Sequence, residues 1–539
     1  MHRKGLRWGI WAAVCAIVYY AFYPPFNIQS TGMWIYLACM AVLWVILAGP
    51  EGKKTIVHHI HKGKRSYRKS SEIPVRIYLI TVIAAVFSIA WALSALILSP
   101  LFLSGTYAAR ITVTNEDFSS VPAYSFNHTA IIDRDSAENL GDKVMGEMSD
   151  LVSQFEVSSE YSQISWQDGT YRVTPLAYQS FIKYLRNRKD GIPGYILVNT
   201  TTGSARLQRL EDKMRYVPSA WFNDNLYRRL RFSYPTALFG RPTFEIDDDG
   251  RPWYVCSTYG YTGLHALKKV TGVILFDPIS GESQKYSLDE VPSWVDRVYP
   301  EKLVNTELTD YGKYRKGFWN SLFGQEGVIQ PSEGYNYISK DGDVWLYTGM
   351  TSSASEDSNI GFMLVNLRTH EAQYIAVSGA GETSVMNSAQ GEVLNYGYTA
   401  TFPTLINIAG KPVYLLSLKD SAGLVKMYAM VDAQDYQQVY TVKAGRNTEA
   451  ALNTLTAQIG GGEGVDTSVL SHVNVVIDEV QNAVIGSKTY IYLKAEGNVY
   501  TIEVTADNAA EVLFIHAQDR LTLYYDEEDG RRIVQQIEF

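Results

Sequence analysis

Residues 244–288 hold Phe244-EIDDDGRPWYVCST and then Gly272-VILFDPISGESQKYSL. Runs rich in Val, Ile, Tyr and Trp flank Asp249-Gly250, where glycine accepts the positive φ of a tight hairpin. Asp277 closes the following run, and a short polar side chain there can bond its own backbone in a turn. The passage reads as an antiparallel meander, its strands built from residues that suit a half-buried pleated surface.

The same phrase occurs three more times. Tyr161-SQISWQDGTYRV leads to Gly194-YILVNTTTGSARLQRL, Tyr337-ISKDGDVWLYTG to Gly361-FMLVNLRTHEAQYIAV, and Leu405-INIAGKPVYLLSL to Met427-YAMVDAQDYQQVYTV. Asp168-Gly169, Asp341-Gly342 and Ala409-Gly410 are the hairpins, and Asn199, Asn366 and Asp432 stand where Asp277 does. Stretches of helical spacing separate the meanders: Asp135 to Phe155, Pro218 to Arg231, Pro292 to Lys313, Glu382 to Val393 and Thr448 to Ile459. Inside the first meander, Thr174-Pro175 reads as an N-cap and first-turn pair, which predicts a helix over Leu176 to Lys189.

The phrase "strand, Asp or Asn, two residues, Thr or Ser then Gly, strand" resembles the PepSY pattern. It is complete in Asn199-TTTG and Asp277-PISG and decays in Asn366-LRTH and Asp432-AQD. The resemblance implies an α+β ectodomain of tandem helix-and-antiparallel-meander, PepSY- or cystatin-like modules, with units about 135–210, 218–290, 292–378 and 382–444. A β-propeller, whose blades are also four-stranded meanders, competes with it. Irregular spacing and the intervening helices favour the modular plan. Pro193-GYILV, Pro292-SWVDRVYP, Gly334-YNYISKDGDVWLYTGMTS, Asn359-IGFMLVNLRTHEAQY and Leu424-VKMYAMV also look like an uncharacterised family of Firmicute membrane-anchored extracytoplasmic proteins. That likeness implies an envelope location and a shared fold, and brings no activity with it.

Three apolar runs precede the meanders, about Trp8 to Tyr23, Met33 to Leu47 and Ile77 to Leu103, and they predict three transmembrane helices. The loop 50–76 between the second and third carries Lys53, Lys54, Lys62, Lys64, Arg65, Arg68, Lys69 and Arg76. Positive charge beside membrane segments stays in the cytoplasm. The N-terminus and this loop are then inside, and the turn at Pro24-Pro25 and residues 104–539 outside. The first run lacks a small-x-small cleavage site, so it reads as an anchor. Residues 1–103 form the anchor and 104–457 the ectodomain. Residues 458–472, with Gly460-GGEG, form a linker, and 473–539 a small OB- or SH3-like β-barrel of five or six strands.

Of 48 Lys/Arg and 56 Asp/Glu, eleven and two lie before Ser104, leaving 37 and 54 beyond it and a net charge of −17 there. Such a domain has no general attraction for nucleic acid. Cys15 and Cys39 fall in apolar runs and Cys256 stands alone outside, so a hydrophobic core and no disulfide must hold the ectodomain.

Catalytic signatures are missing: no Gly-x-Ser-x-Gly, His-Glu-x-x-His, P-loop or Cys-x-x-Cys occurs. His128, His265, His370, His472 and His516 are scattered, and no residue is nominated as catalytic, cofactor-binding or metal-ligating. Asp247-Asp-Asp249 and Asp526-Glu-Glu-Asp529 read as solvated turns more than Ca²⁺ loops. His58-His59-x-His61 lies among cations that would repel a metal. Arg228, Arg229 and Arg231 form either a salt-bridged face or a contact for an acidic polymer. The stretches 349–359 and 378–384 read as loops able to bind. The expectation is a non-enzymatic envelope binding or scaffold protein, integral to the membrane, whose partner is another envelope protein or a wall-associated ligand. A hydrolase with a carboxylate pair and a PepSY-like regulator of a secreted peptidase are the alternatives.

Overall fold

Backbone φ is positive at Asp341 and Gly342, and at Ala409 and Gly410, in the computed structural model. Two-residue turns of this hand match the twist of the strands they join. The structure describes residues 2–539 apart from 49–54, 62–63, 71–74, 122, 127–128, 168, 265, 353–354, 446–447, 461–470, 486–487, 505–507, 529–530 and 539. Asp168 of the first hairpin, most of the glycine-rich linker, and Glu51, Lys53, Lys54 and Lys62 of the basic loop fall outside them.

Four antiparallel meanders follow one another, and each is one blade. Blade 1 is Ser162–Trp166, Gly169–Tyr178, Ile192–Asn199 and Ala205–Met214. Blade 2 is Thr243–Ile246, Pro252–Thr262, Ala266–Phe276 and Ser283–Tyr286. Blade 3 is Asn336–Lys340, Asp343–Ser352, Ser355–Asn366 and Ala372–Ile375, with Val113–Glu116 added in parallel to its outer edge. Blade 4 is Thr404–Ile408, Lys411–Lys419, Val425–Asp432 and Val439–Lys443. In every blade the third strand ends in the same side-chain-capped turn. Asn199 accepts from the N–H groups of Thr201 and Thr202, Asp277 from Ile279 and Ser280, Asn366 from Arg368 and Thr369, and Asp432 from Gln434 and Asp435.

The blades pack face to face. Blades 1 and 2 share one core, which joins Val173, Ile196 and Tyr195 to Phe244, Tyr254 and Phe276. Blades 3 and 4 share another, with Tyr347 and Phe362 against Tyr414 and Leu416. Between blades 2 and 3, Val298 and Tyr299 donate to the carbonyl of Leu367 at 3.1 and 2.8 Å. The ring closes through residues 129–133. Ile131 and Ile132 donate to Thr200 O of blade 1, Ser417 of blade 4 donates to Ile131 O, and Lys419 of blade 4 binds Asp133 at 2.6 Å. The fold is therefore a four-bladed, propeller-like ring.

This arrangement corrects several expectations. The PepSY/cystatin-like α+β plan fails because the described chain is mostly β-sheet and the meanders pack on one another on one face, blades 3 and 4 covering the other with the helices Glu301–Tyr314 and Thr448–Gly460. Of three expected spans, one helix, Tyr78–Ile97, is long and apolar enough to cross a membrane among the described residues. Leu6–Phe22 and Thr31–Leu47 are shorter apolar helices; the second packs on Tyr78–Ile97, with the Trp34 and Phe87 ring centres 4.0 Å apart, and the first packs on the second through Trp8 and Trp44. Thr174-Pro175 does not start a helix: both lie in the strand Gly169–Tyr178, with Pro175 at the break between its two partners, Ser162–Trp166 and Phe155–Val157. The helix begins later, at Phe181, with Ser180 as its cap. The expected C-terminal barrel is an open sheet of six strands whose edges, Ser471–Val476 and Glu479–Ile485, do not pair. Ala509–Val512 forms one short helical turn between the strands Asn498–Val504 and Arg520–Glu528.

Asp296, in the link from blade 2 to blade 3, holds the centre. It accepts the N–H of Ser165 in blade 1 at 2.8 Å and faces that of Val344 in blade 3, and its own N–H binds Glu245 of blade 2 at 2.9 Å. Both carboxyls are enclosed. Replacing Asp296 with Ala orphans the buried Ser165 N–H and should cost roughly 1–3 kcal/mol in a denaturant titration. Burial pushes the Glu245 carboxyl up to about 7 against hydrogen bonds from the Asp296 and Arg297 backbone. The folded state thus holds a proton that the unfolded chain releases near pH 4.5, and this stabilisation is lost as pH rises towards 7. Melting of wild type and Glu245→Gln should therefore shift in favour of the variant between pH 5 and 8.

Candidate functional site

The first strands of the blades meet at the centre of the ring, and there the alternation of apolar side chains breaks. Gln163 of blade 1 faces Arg172 across the ladder. Such directly opposed residues share one face of the sheet. Both are buried, Gln163 at 1% and Arg172 at 5% exposure. Neither amide atom of Gln163 has a partner, nor does Arg172 Nε. Arg172 forms no hydrogen bond or ion pair with any described residue; its guanidinium lies 5.9 Å from the Tyr337 ring centre. Burial pulls its pKa down, with Tyr337 and Asp133 partly offsetting the effect.

A second guanidinium beside it is better satisfied, its Nε alone lacking a partner. Arg297 lies over the other side of this cluster, 5.6 Å from the Tyr337 ring, donates to Tyr337 OH at 3.2 Å and pairs with Glu301. Tyr337 OH in turn donates to Glu301, and burial pushes its pKa up to about 12. Arg172 has no equivalent of Glu301. A small pocket lies between blades 3 and 4 and the closing segment, lined by Ile132, Asp133, Asn336, Thr404 and Leu415 among others, and shares with Arg172 the nearby charge of Asp133. Asn336 donates to Thr404 Oγ1 at 2.8 Å on its wall. Burial alone would raise the Asp133 pKa, but hydrogen bonds from Lys419 and Ser136 hold it below its ordinary value. The pocket therefore presents the Asn336 amide, the Thr401 and Thr404 hydroxyls and the Lys419-paired Asp133 carboxylate.

Residues singled out in the sequence lie elsewhere and do other work. Asp247 accepts from Asp249 N, Arg251 N and Trp253 Nε1, so it is consumed by its own hairpin. Glu527 pairs with Arg532 at 3.0 Å, while Asp529 falls outside the described residues. The side chains of His58, His59 and His61 are likewise not described, nor are His128 and His265. His370 stacks on Tyr299 and bonds Glu307, and among the described residues no group of three His, Cys, Asp or Glu is placed to hold a metal. The arginine trio forms neither an ion-pair face nor a free patch. Arg228 sits 4.4 Å from the Tyr20 ring, Arg229 donates to Gly281 O, and Arg231 is buried 3.9 Å from the Phe239 ring with bonds to carbonyls. Stretch 349–359 is a hairpin of two long strands, and Gly379–Ala380 pairs with it as a strand. The close approach at Gly379 is made by the Ala433 backbone and not by a ligand. Cys256 is fully buried and its thiol is pushed up, so it is inert.

Sequence reasoning passed over Arg172. The available signal was a lone cation within the Tyr171-Arg172-Val173 strand of a domain whose other strand arginines sit at edges or turns.

No protein family matches the chain, and no curated protein matches it. Among solved structures, an exo-β-1,3-galactanase from Phanerochaete chrysosporium aligns at 8% identity over 71% of this chain and 66% of its own, with a TM-score of 0.16. An exo-1,5-α-L-arabinanase from a bovine ruminal metagenomic library aligns at 12% identity over 71% and 99%, with a TM-score of 0.15. A levansucrase variant from B. megaterium aligns at 8% identity over 77% and 98%, also at 0.15. Scores this low carry neither fold nor activity across to this chain.

An unpaired buried charge costs stability, and an apolar side chain of similar volume removes that cost. Arg172→Met should raise the stability of the ligand-free protein by about 1–4 kcal/mol, read as an increase in melting temperature. A fall would mean that the guanidinium is already satisfied.

Proposed function

We propose that this is a non-enzymatic, membrane-anchored extracytoplasmic protein of the bacterial envelope whose ring binds an anionic group, carboxylate or phosphate, of an envelope ligand at Arg172. The observation that carries this reading is the buried guanidinium without a partner. Proteins keep such a group where a ligand completes it, and arginine suits planar, bidentate recognition of carboxylate and phosphate. Gln163 adds an unpartnered amide on the same face.

Two observations support the outward orientation. The turn after the first apolar helix lies against blade 2: Phe26 N donates to Pro235 O at 2.7 Å, and Gln29 donates to the carbonyls of Tyr261 and Gly263. The turn and the ring therefore share one side. The basic residues of loop 50–76 belong to the opposite end of the helices, and such charge stays in the cytoplasm.

Hydrolysis by a carboxylate pair fits less well. Glu245 and Asp296 are the paired carboxyls of the centre, but their oxygens are spent on backbone N–H groups and both are enclosed. A catalytic pair must face the scissile bond.

The test is a thermal titration of the full-length protein with inorganic phosphate and with acetate, against chloride of matched ionic strength. A saturable rise in melting temperature follows binding to the folded state, about 2.7 kcal/mol at a hundredfold excess over Kd. It should vanish in Arg172→Met. The absence of any anion-specific shift in the wild type would sink the reading.

A further inference from the structure

Two clusters of exposed aromatic and aliphatic side chains stand at the end of the helical bundle. In the first, Phe181, Ile182 and Leu185 share one face of the short helix Phe181–Asn187, at 38%, 73% and 43% exposure, while Tyr184 on the other face is buried. Trp221 and Phe222 extend this patch, their rings 5.0 and 6.0 Å from Phe181. In the second, Trp319, Leu322 and Phe323 are exposed at 62%, 48% and 79%. A soluble surface rarely gathers such side chains in contiguous groups.

Their attachment shows what lies beside them. The first patch is tied to the end of helix Leu6–Phe22. Tyr20 OH donates to Asn223, next to Phe222, and Arg228 donates to Tyr20 O. The second is tied to the end of the membrane-length helix Tyr78–Ile97. Tyr107 OH donates to Leu98 O at 2.9 Å, Tyr107 contacts Tyr314, and the ring series continues through Phe318 and Trp319 to Phe323. The hairpin tip at Gly263 joins the two ends: it receives Gln29, and Leu98 and Ser94 crowd the position of a Cβ there. Both patches therefore sit where the span leaves the hydrocarbon.

We infer that these patches are two feet that seat the ring on the membrane, with Phe222 and Phe323 in the interfacial layer of a bilayer containing anionic phospholipid. Trp, Phe and Leu with adjacent basic residues are the side chains that partition to this layer. Arg186, Arg188 and Lys189 flank the first foot; at the second, Arg315 donates to Gly327 O and Lys316 pairs with Glu326, so the charge there is close to balanced. On a domain of net charge −17 the three cations of the first foot are a local reversal, placed where lipid phosphates would meet them. The inference rests on Tyr78–Ile97 crossing the membrane, as the proposed function does.

The experiment uses the full-length protein with Cys15, Cys39 and Cys256 replaced, in nanodiscs of phosphatidylcholine and phosphatidylglycerol. A single bimane label is placed at Phe222→Cys, Phe323→Cys, Val86→Cys or Tyr436→Cys, and quenching by lipids brominated along their chains is compared. Quenching at 222 and 323, strongest with bromine near the headgroup, together with deep quenching at 86 and none at 436, supports the two feet. Quenching at 86 alone overturns the feet and leaves the span. Its absence at 86 overturns both. A label at Leu322→Cys replaces 323 if that variant fails to fold, with the same readings expected.

Discussion

Three blades meet on one carboxyl. Asp296 takes a backbone N–H from blade 1 and faces one of blade 3, and its own N–H goes to Glu245 of blade 2. Face-to-face packing of sheets is non-directional and tolerates sliding, whereas these hydrogen bonds fix the register between sheets that share no ladder. They are strong because they are buried, and for the same reason no substitute can be supplied by water. The segment Pro292-SWVDRVYP that carries Asp296 is therefore a structural crosslink, with Arg297 beside it satisfied by Glu301 and Tyr337.

This economy makes Arg172 stand apart. Nearly every other buried or half-buried cation near the ring has a visible counterpart: Lys419 has Asp133, Arg110 has Asp310 and Glu307, Arg368 has the bidentate Asp343, and Arg231 has two carbonyls and an aromatic face. Desolvating a guanidinium costs several kcal/mol before any attraction repays it. Arg231 and Arg297 each leave only Nε without a partner, whereas Arg172 makes no hydrogen bond or ion pair at all and stands beside a Gln163 that is equally open, so stability is spent most heavily there. Such local conflict within an otherwise consistent fold is where function concentrates.

Local chemistry was legible in the sequence, and the long-range arrangement was not. Asn199, Asp277, Asn366 and Asp432 announce their turns because an Asx side chain needs only its own neighbours. The helices at 301–314, 382–392 and 448–460 follow from apolar spacing alone. Thr174-Pro175 misled because cap chemistry competes with a sheet that supplies partners from residues 156–157 and 195–196, and tertiary pairing overrides propensity. Whether meanders stack on helices or on one another depends on which neighbour buries each face, and alternation along a strand carries no information about that. Arg172 was invisible for a related reason: its significance is the absence of a partner in space.

The segment that links the membrane helix to blade 1 is also the one that closes the ring. Val113–Glu116 pairs with the outer strand of blade 3, Val121 O accepts from Asn407 of blade 4, and Ile131 and Asp133 bind Ser417 and Lys419. The last three contacts each span 286 residues. Loop-closure entropy rises only logarithmically with length, so joining such distant segments is affordable at equilibrium, while the search for them makes closure slow. The blades can form from local hairpins, but the strap can seat only when blades 3 and 4 present their edges. Because the strap continues directly from the helix that is long enough to cross the membrane, the closed ring is held to that helix by hydrogen bonds to two blades as well as by the chain itself. Domain orientation relative to the helix is thus set by the same contacts that complete the fold.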